Sequence, residues 1–375
     1  MPPAIPAADP RANYLAHRAA IDAAIARVLE SGTYILGPEV EAFERSFATF
    51  LGMAHAVGVA SGTDALVLAL RALGVGTDDY VATVSHTAVA TVAAIELAGA
   101  RPLLVDIEPA TMTLDPASLA RAFAAPPGRI AAIIPVHLYG QAADIEAICA
   151  LARRHGARVL EDCAQAHGAR LGGRVLGTFG DAAAFSFYPT KNLGALGDAG
   201  AVATADTELA ARVRELREYG WRERYVSAVP GANSRLDPLQ AAVLGAKLPA
   251  LDAENRARAA IASAYDTRLA GAGLVLPARR PGALHAFHQY VVRHPARDLL
   301  RERLARRGIG TLVHYPVPVH AQPAYRGRLA EAPGGLRESD RAAAEVLSLP
   351  IFPELGLDRA EAAAAAIADT LPNLF

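Results

Sequence analysis

Cysteine is almost absent from this sequence: its 375 residues include only Cys149 and Cys163. Two thiols permit one disulfide at most, which excludes a small disulfide-stapled fold and leaves two reduced core thiols as the expectation. No histidine cluster at ligand spacing accompanies them, so no metal site is expected. An excess of charge is missing too, with 37 basic residues against 38 acidic ones. That balance removes any general attraction to nucleic acid or to an anionic membrane, and a phosphate must be caught locally. No apolar run reaches the ~18–20 residues of a membrane span. Met1 to Asp9 lack a basic segment followed by an apolar stretch, so no signal peptide is expected and the protein reads as soluble and cytoplasmic. What the chain does have is bulk. With 52% hydrophobic residues it can bury a real core, and its length suits a large domain followed by a smaller one.

The first 50 residues read as helical, with Ile21, Ile25, Val28 and Leu29 on one face and Ser31-Gly32 as the stop. From Ala54 onward, short apolar runs alternate with helical patterns. Strands are predicted over Ala54–Ala60, Tyr80–Val84, Pro102–Asp106, Ile130–Val136 and Arg158–Glu161. Helices are predicted over Thr63–Leu73, Ala88–Ala98 and Ile145–His155. Such alternation predicts an α/β fold, a mainly parallel sheet between helices, with ligands at the carboxyl ends of the strands. The large domain is expected to cover residues 1–245. A smaller α+β domain over 246–375 follows, entered through a helix over Leu236–Leu251 and continued by a polar helix over Ala253–Leu269. It also holds a strand (His288–Arg293), a basic helix (Asp298–Arg307) and a proline-rich loop.

Three segments at strand ends carry chemistry. Ser61-Gly62-Thr63-Asp64 opens a helix after a strand, so its N–H groups and dipole make an anion site, with Gly62 permitting close approach and Thr63 adding a hydroxyl. The same triplet is also an ordinary helix cap. Val159-Leu160-Glu161-Asp162 is an apolar strand ending in carboxylates. Asp162 is placed to keep a pyridinium ring protonated, whereas Glu161 should point to the opposite side of the strand. Capping of the next turn is the other use for Asp162. Phe185-Ser186-Phe187-Tyr188-Pro189-Thr190-Lys191-Asn192, followed by glycines, puts a lysine after a strand in an apolar setting. There a neutral, nucleophilic amine can bond an aldehyde as an imine, and Ser186 can donate to a phosphate.

These segments, in this order, resemble the DegT-type nucleotide-sugar aminotransferases, which are fold-type-I pyridoxal-phosphate enzymes. The resemblance covers nearly the whole chain. It includes Ser31-Gly32-Thr33-Tyr34-Ile35-Leu36-Gly37-Pro38, Phe43-Glu44, Pro135-Val136-His137-Leu138-Tyr139-Gly140-Gln141, Gly231 to Arg235, His314-Tyr315-Pro316 and His320. It implies that Lys191 bonds the cofactor and then shuttles the proton, with Asp162 on the ring nitrogen and Gln165 on the phenolic oxygen. Gly62, Thr63 and Ser186 hold the phosphate, and Asn233 reaches the phosphate in a neighbouring subunit's site, which implies a homodimer with shared sites. Tyr34, His137, His314, Tyr315 and His320 are implied as sugar-site groups. The pattern departs at Ala88, where the family usually has an aromatic residue stacked on the cofactor; His86 is the candidate to cover that face.

The implied reaction moves an amino group from an amino acid, glutamate by resemblance, to a nucleotide-linked keto sugar through the pyridoxamine phosphate form. The Ser85-His86-Thr87 segment is more similar to members acting on 3-keto-6-deoxy sugars than on 4-keto ones, with dTDP as the expected nucleotide. UDP or GDP, a 4-keto sugar and a cyclitol ketone stay open. A sugar dehydratase relative carries histidine in place of the lysine, so Lys191 argues against it. A non-catalytic regulatory protein predicts a broken catalytic set or an added DNA-binding module, and neither is found.

Overall fold

Runs of two to five residues, mostly apolar, form the strands of the main sheet: β1 (His55–Val59), β2 (Tyr80–Val84), β3 (Arg101–Val105), β4 (Ile130–Ile133), β5 (Arg158–Asp162), β6 (Ala182–Ser186), β7 (Gly200–Thr204) and β8 (Ala330–Glu331). The computed structural model describes residues 5–373. Across the sheet the order is β1-β7-β6-β5-β4-β2-β3-β8. Every pair from β6 to the β8 edge is parallel, and β7 runs antiparallel to both of its neighbours. Most strand residues are buried, because helices cover both faces. Val84, Leu103 and Val105 join one core with Phe43, Phe47 and Ile148, while Val57 and Val81 join the other with Leu66, Leu70 and Ile95. This is the α/β architecture expected of a fold-type-I transferase.

A third core lies toward the C-terminus. Helices Leu251–Leu269 and Leu357–Thr370 enclose Ile261, Tyr265, Leu300 and Ile367 against an antiparallel pair, Tyr290–Arg293 with Val346–Leu349. Between the two strands of that pair the chain visits the main sheet through β8, beside β3.

Three local expectations change. The helix expected over 236–251 is instead Pro238–Lys247, one 3-10 turn (Leu248–Ala250) and a new helix from Leu251. Pro249 lacks the N–H that would continue the first helix. The N-terminal helix Arg18–Ser31 buries Ile21, Ala24 and Val28, the last two against Ala242, and Leu29 faces outward at 54% exposure. The fourth strand stops at Ile133, and Val136 makes only a single bridge to Asp162. Helix Pro38–Leu51 is anchored by Glu44, whose carboxylate accepts from the Gly58 N–H at 2.8 Å and the Arg217 guanidinium at 2.5 Å, both buried. Among the described residues, no helix is long and apolar enough to cross a membrane.

Candidate active site

The carboxyl ends of β1, β2, β4, β5 and β6 converge on one cavity of about 220 Å3. Its lining includes Gly62, Thr63, Thr91, Asp162, Gln165, Ser186 and Lys191. Helix Gly62–Ala72 starts here, capped by the Ser61 hydroxyl, which accepts from the Asp64 N–H at 3.1 Å. A Cβ on Gly62 would lie 2.5 Å from the Ser186 Cβ, and one on Gly200 would lie 2.3 Å from the Ser61 carbonyl oxygen. Glycine is therefore what lets the helix N-terminus meet the end of β6. An anion there faces N–H groups and two hydroxyls.

Asp162 ends β5 with its side chain toward the cavity. Its carboxylate accepts from the Thr91 hydroxyl at 2.9 Å and from the Ala164 N–H at 3.1 Å. Burial pushes its pKa above the ordinary carboxylate value, while those two bonds and Lys191 pull the other way. Thr91, itself 3.2 Å from the Thr87 hydroxyl, is a site residue that sequence reasoning missed. A threonine one helical turn after Thr87, on a helix starting at the end of β2, was the available signal.

Lys191 is one of two lysines in the chain. It sits in a turn closed by its own N–H donating to the Tyr188 carbonyl (2.8 Å) and by Ala195 N–H donating to the Phe187 carbonyl (2.7 Å). Beneath that turn, Phe43, Phe47, Phe185 and Phe187 interlock edge to face with centroids 5.0–5.4 Å apart, which fixes the end of β6. The other lysine, Lys247, is buried and donates to the Gly194 carbonyl at 2.5 Å, bracing the same turn from behind. Desolvation lowers the Lys191 pKa to about 8, with Asp162 opposing the shift. Its amine is thus neutral in about a tenth of molecules at pH 7, some hundredfold more than for an ordinary lysine, as a nucleophile and proton shuttle requires.

Gln165 is oriented by the Tyr139 N–H, which donates to its Oε1 at 2.7 Å, and its Nε2 donates to the Tyr315 hydroxyl at 3.2 Å. His314 and Tyr315 therefore come to the site from the C-terminal part of the chain. Burial lowers His314 to about 4 and raises Tyr315 to about 12, so both are neutral near pH 7.

Seven of the expected residues do not line this cavity: His314 lines an adjoining one beside Lys191, Tyr315 reaches it only through Gln165, Asn233 was expected in a neighbouring subunit's site, and four others lie elsewhere. His86 is fully buried and turned away, its Nε2 2.8 Å from the Tyr139 hydroxyl, so Thr87 and Ala88 form the wall where a stacking ring was expected. His137 lies behind β5 with Nε2 3.0 Å from Glu161 and Nδ1 accepting from the Ala143 N–H, so it has no nitrogen left for a sugar. His320 is held between the Ser85 hydroxyl (2.7 Å) and Asp340 (3.2 Å). Tyr34 is 55% exposed and donates to the Leu29 carbonyl. Asn233 is exposed, bridged to Glu218. His137, Glu161 and Cys163 also lie close enough to hold a metal, but three backbone N–H groups already occupy the Glu161 carboxylate. Both cysteines are buried and free.

The donor set fits pyridoxal phosphate: an anion cradle at one end, a buried carboxylate facing the cavity, an amide beside it and a desolvated amine. A family model described as the DegT/DnrJ/EryC1/StrS aminotransferase family matches residues 16–368. The chain belongs to this family. The dTDP-3-amino-3,4,6-trideoxy-alpha-D-glucose transaminase of Streptomyces venezuelae is 51% identical over 356 residues, 94% of this chain and 92% of the relative. The UDP-N-acetyl-3-dehydro-alpha-D-glucosamine 3-aminotransferase of Acidithiobacillus ferrooxidans is 43% identical, covering 98% of both chains. Among solved structures, the S. venezuelae protein DesV in complex with a ketimine intermediate superposes on this aminotransferase with a TM-score of 0.94, at 49% identity and 98% coverage of each chain.

Proposed function

We propose that this aminotransferase uses pyridoxal phosphate to move an amino group from L-glutamate to the ketone of a nucleotide-linked sugar, a dTDP-3-keto-6-deoxyhexose, in amino-sugar biosynthesis. The observation that carries the reading is Lys191: a desolvated amine with a pKa near 8, on the wall of a cavity it shares with Asp162. Gly62, Thr63 and Ser186 would hold the cofactor phosphate, Asp162 its ring nitrogen and Gln165 its ring oxygen. When bound, the cofactor supplies an aldehyde that links to amines and a ring that accepts the electrons released at the amine-bearing carbon.

The chain's own residues do the rest. Lys191 Nζ would serve as the base that takes the proton from the carbon bearing the amine and as the acid that returns it on the other side of the nitrogen. Asp162 would present its carboxylate to the ring nitrogen, and Thr91 holds that carboxylate in one orientation. Tyr139 fixes the Gln165 amide so that its N–H2 group is the donor. His314 and Tyr315, neutral at working pH, offer hydrogen bonds without competing for the proton.

The names of the two relatives favour a 3-keto sugar and leave dTDP ahead of UDP on identity. The same reading includes a homodimer in which Asn233 serves the partner's phosphate site. The exposed Asn233, together with outward-facing Leu29, Tyr34 and Ile35, supports that arrangement. It also includes a cytoplasmic location and a division of the chain near residue 245. Supply the protein with L-glutamate and a dTDP-3-keto-6-deoxyhexose, and 2-oxoglutarate and the 3-amino sugar nucleotide should form in equal amounts. A wild type that forms neither, or a Lys191→Ala variant that forms both, refutes the reading.

A further inference from the structure

Lys191 borders a second cavity, of about 260 Å3. Its walls include Arg258 from helix Leu251–Leu269, Glu354, Asn13, His288 and His314. Arg258 is only 6% exposed and makes no ion pair among the described residues. Its Nη1 donates to the carbonyls of Ile351 (3.0 Å) and Phe287 (3.5 Å), and its Nε has no partner. Burial lowers its pKa to about 10, with the charges of Glu254 and Glu354 opposing the shift, so it stays charged near pH 7. A buried guanidinium whose nearby carboxylates, Glu254 and Glu354, make no direct ion pair with it is costly unless a ligand completes it.

The opposite charge is also incomplete. Glu354 accepts from the Asn13 side-chain amide through Oε1 at 2.9 Å, and its Oε2 is buried with no partner. The neighbouring acid, Glu254, is already engaged by His17 at 2.6 Å and by the same Asn13 amide at 3.1 Å. One small cavity therefore carries an unfilled cation and an unfilled anion.

We propose that this cavity receives the amino donor, with the donor's carboxylate at Arg258 and Glu354 drawing in its ammonium end. A ligand with both charges satisfies both unpartnered atoms. A sugar diphosphate carries only negative charge, which Glu354 repels, whereas an amino acid also brings an ammonium group. Because Lys191 lines both cavities, a donor held here has its amine beside the group it must displace. The assignment rests on the aminotransferase reading and deepens it by naming where the donor is recognised.

The test uses the pyridoxamine-phosphate form of the enzyme, which cannot react with an amino acid, so calorimetric titration with L-glutamate reads binding alone. Arg258→Lys should weaken L-glutamate at least tenfold and leave the KM for the keto sugar unchanged. Glu354→Gln keeps the Asn13 bond and should raise the affinity ratio of glutarate to L-glutamate about tenfold, because glutarate has no ammonium group. That second variant decides the matter if Arg258→Lys does not fold. Wild-type glutamate affinity in a folded Arg258→Lys, or an unchanged ratio in Glu354→Gln, overturns the proposal. A wild type that binds glutamate through these residues yet transfers no amino group supports the site and refutes the reaction.

Discussion

Glu161 and Asp162 are adjacent on β5, and the two sides of that strand put the same functional group to opposite uses. Behind the sheet, the Glu161 carboxylate accepts from the N–H groups of Gly177 (2.8 Å), Phe179 (2.7 Å) and Gly180 (2.8 Å) and meets His137 Nε2 at 3.0 Å. It is fully satisfied and ties the loop before β6 to the strand. In front, Asp162 has two donors, Thr91 and Ala164, and its remaining capacity faces a cavity with a lysine on the far wall. A saturated buried carboxylate holds structure together; an undersatisfied one in a cavity is available for chemistry. The same contrast separates the two lysines, Lys247 bonded to a carbonyl and Lys191 left free to react.

The contrast can be broken from either side. Asp162→Asn removes the charge opposite the ring while preserving shape, and kcat should fall by roughly 10²–10³-fold with little change in the urea unfolding midpoint. Glu161→Ala should do the reverse. It strands one buried and two part-buried N–H groups, at up to ~1–3 kcal/mol each, so unfolding free energy should drop by about 3 kcal/mol. The pH dependence of cofactor uptake sharpens the lysine comparison. Lys191 is nucleophilic only when deprotonated, so uptake by the apoprotein should rise about tenfold per pH unit below pH 8 and level off above it. Flat uptake across pH 6–9 would remove Lys191 from that role. The smallest effect belongs to Thr91→Val, which deletes one hydrogen bond to Asp162. A loss of ~1 kcal/mol, read as about a fivefold lower kcat/KM, is expected, and none would mean that Ala164 alone orients the carboxylate.

The strand-end residues were legible in the sequence because a parallel sheet collects them mechanically. Gly62, Asp162, Ser186 and Lys191 each follow an apolar strand, and the strand ends meet. The period-2 rule also separated Asp162 from Glu161 correctly. Loop histidines were not legible on the same grounds. His86 and His137 sit at the right ends of β2 and β4, but a loop has no period, and each ring turned toward a partner from elsewhere, Tyr139 or Glu161. Arg258 was harder still. Its helix reads as polar along its length, and nothing local marks one arginine among several as buried. The strand β7 reverses direction in the sheet, and no residue within Gly200–Thr204 announces it.

The most direct measurement reduces the cofactor-loaded protein with borohydride, digests it and maps the pyridoxyl group by mass. With only two lysines in the chain, the assignment is nearly binary. The account predicts the label on Lys191 alone. A label on Lys247, or no label on any lysine, would contradict it.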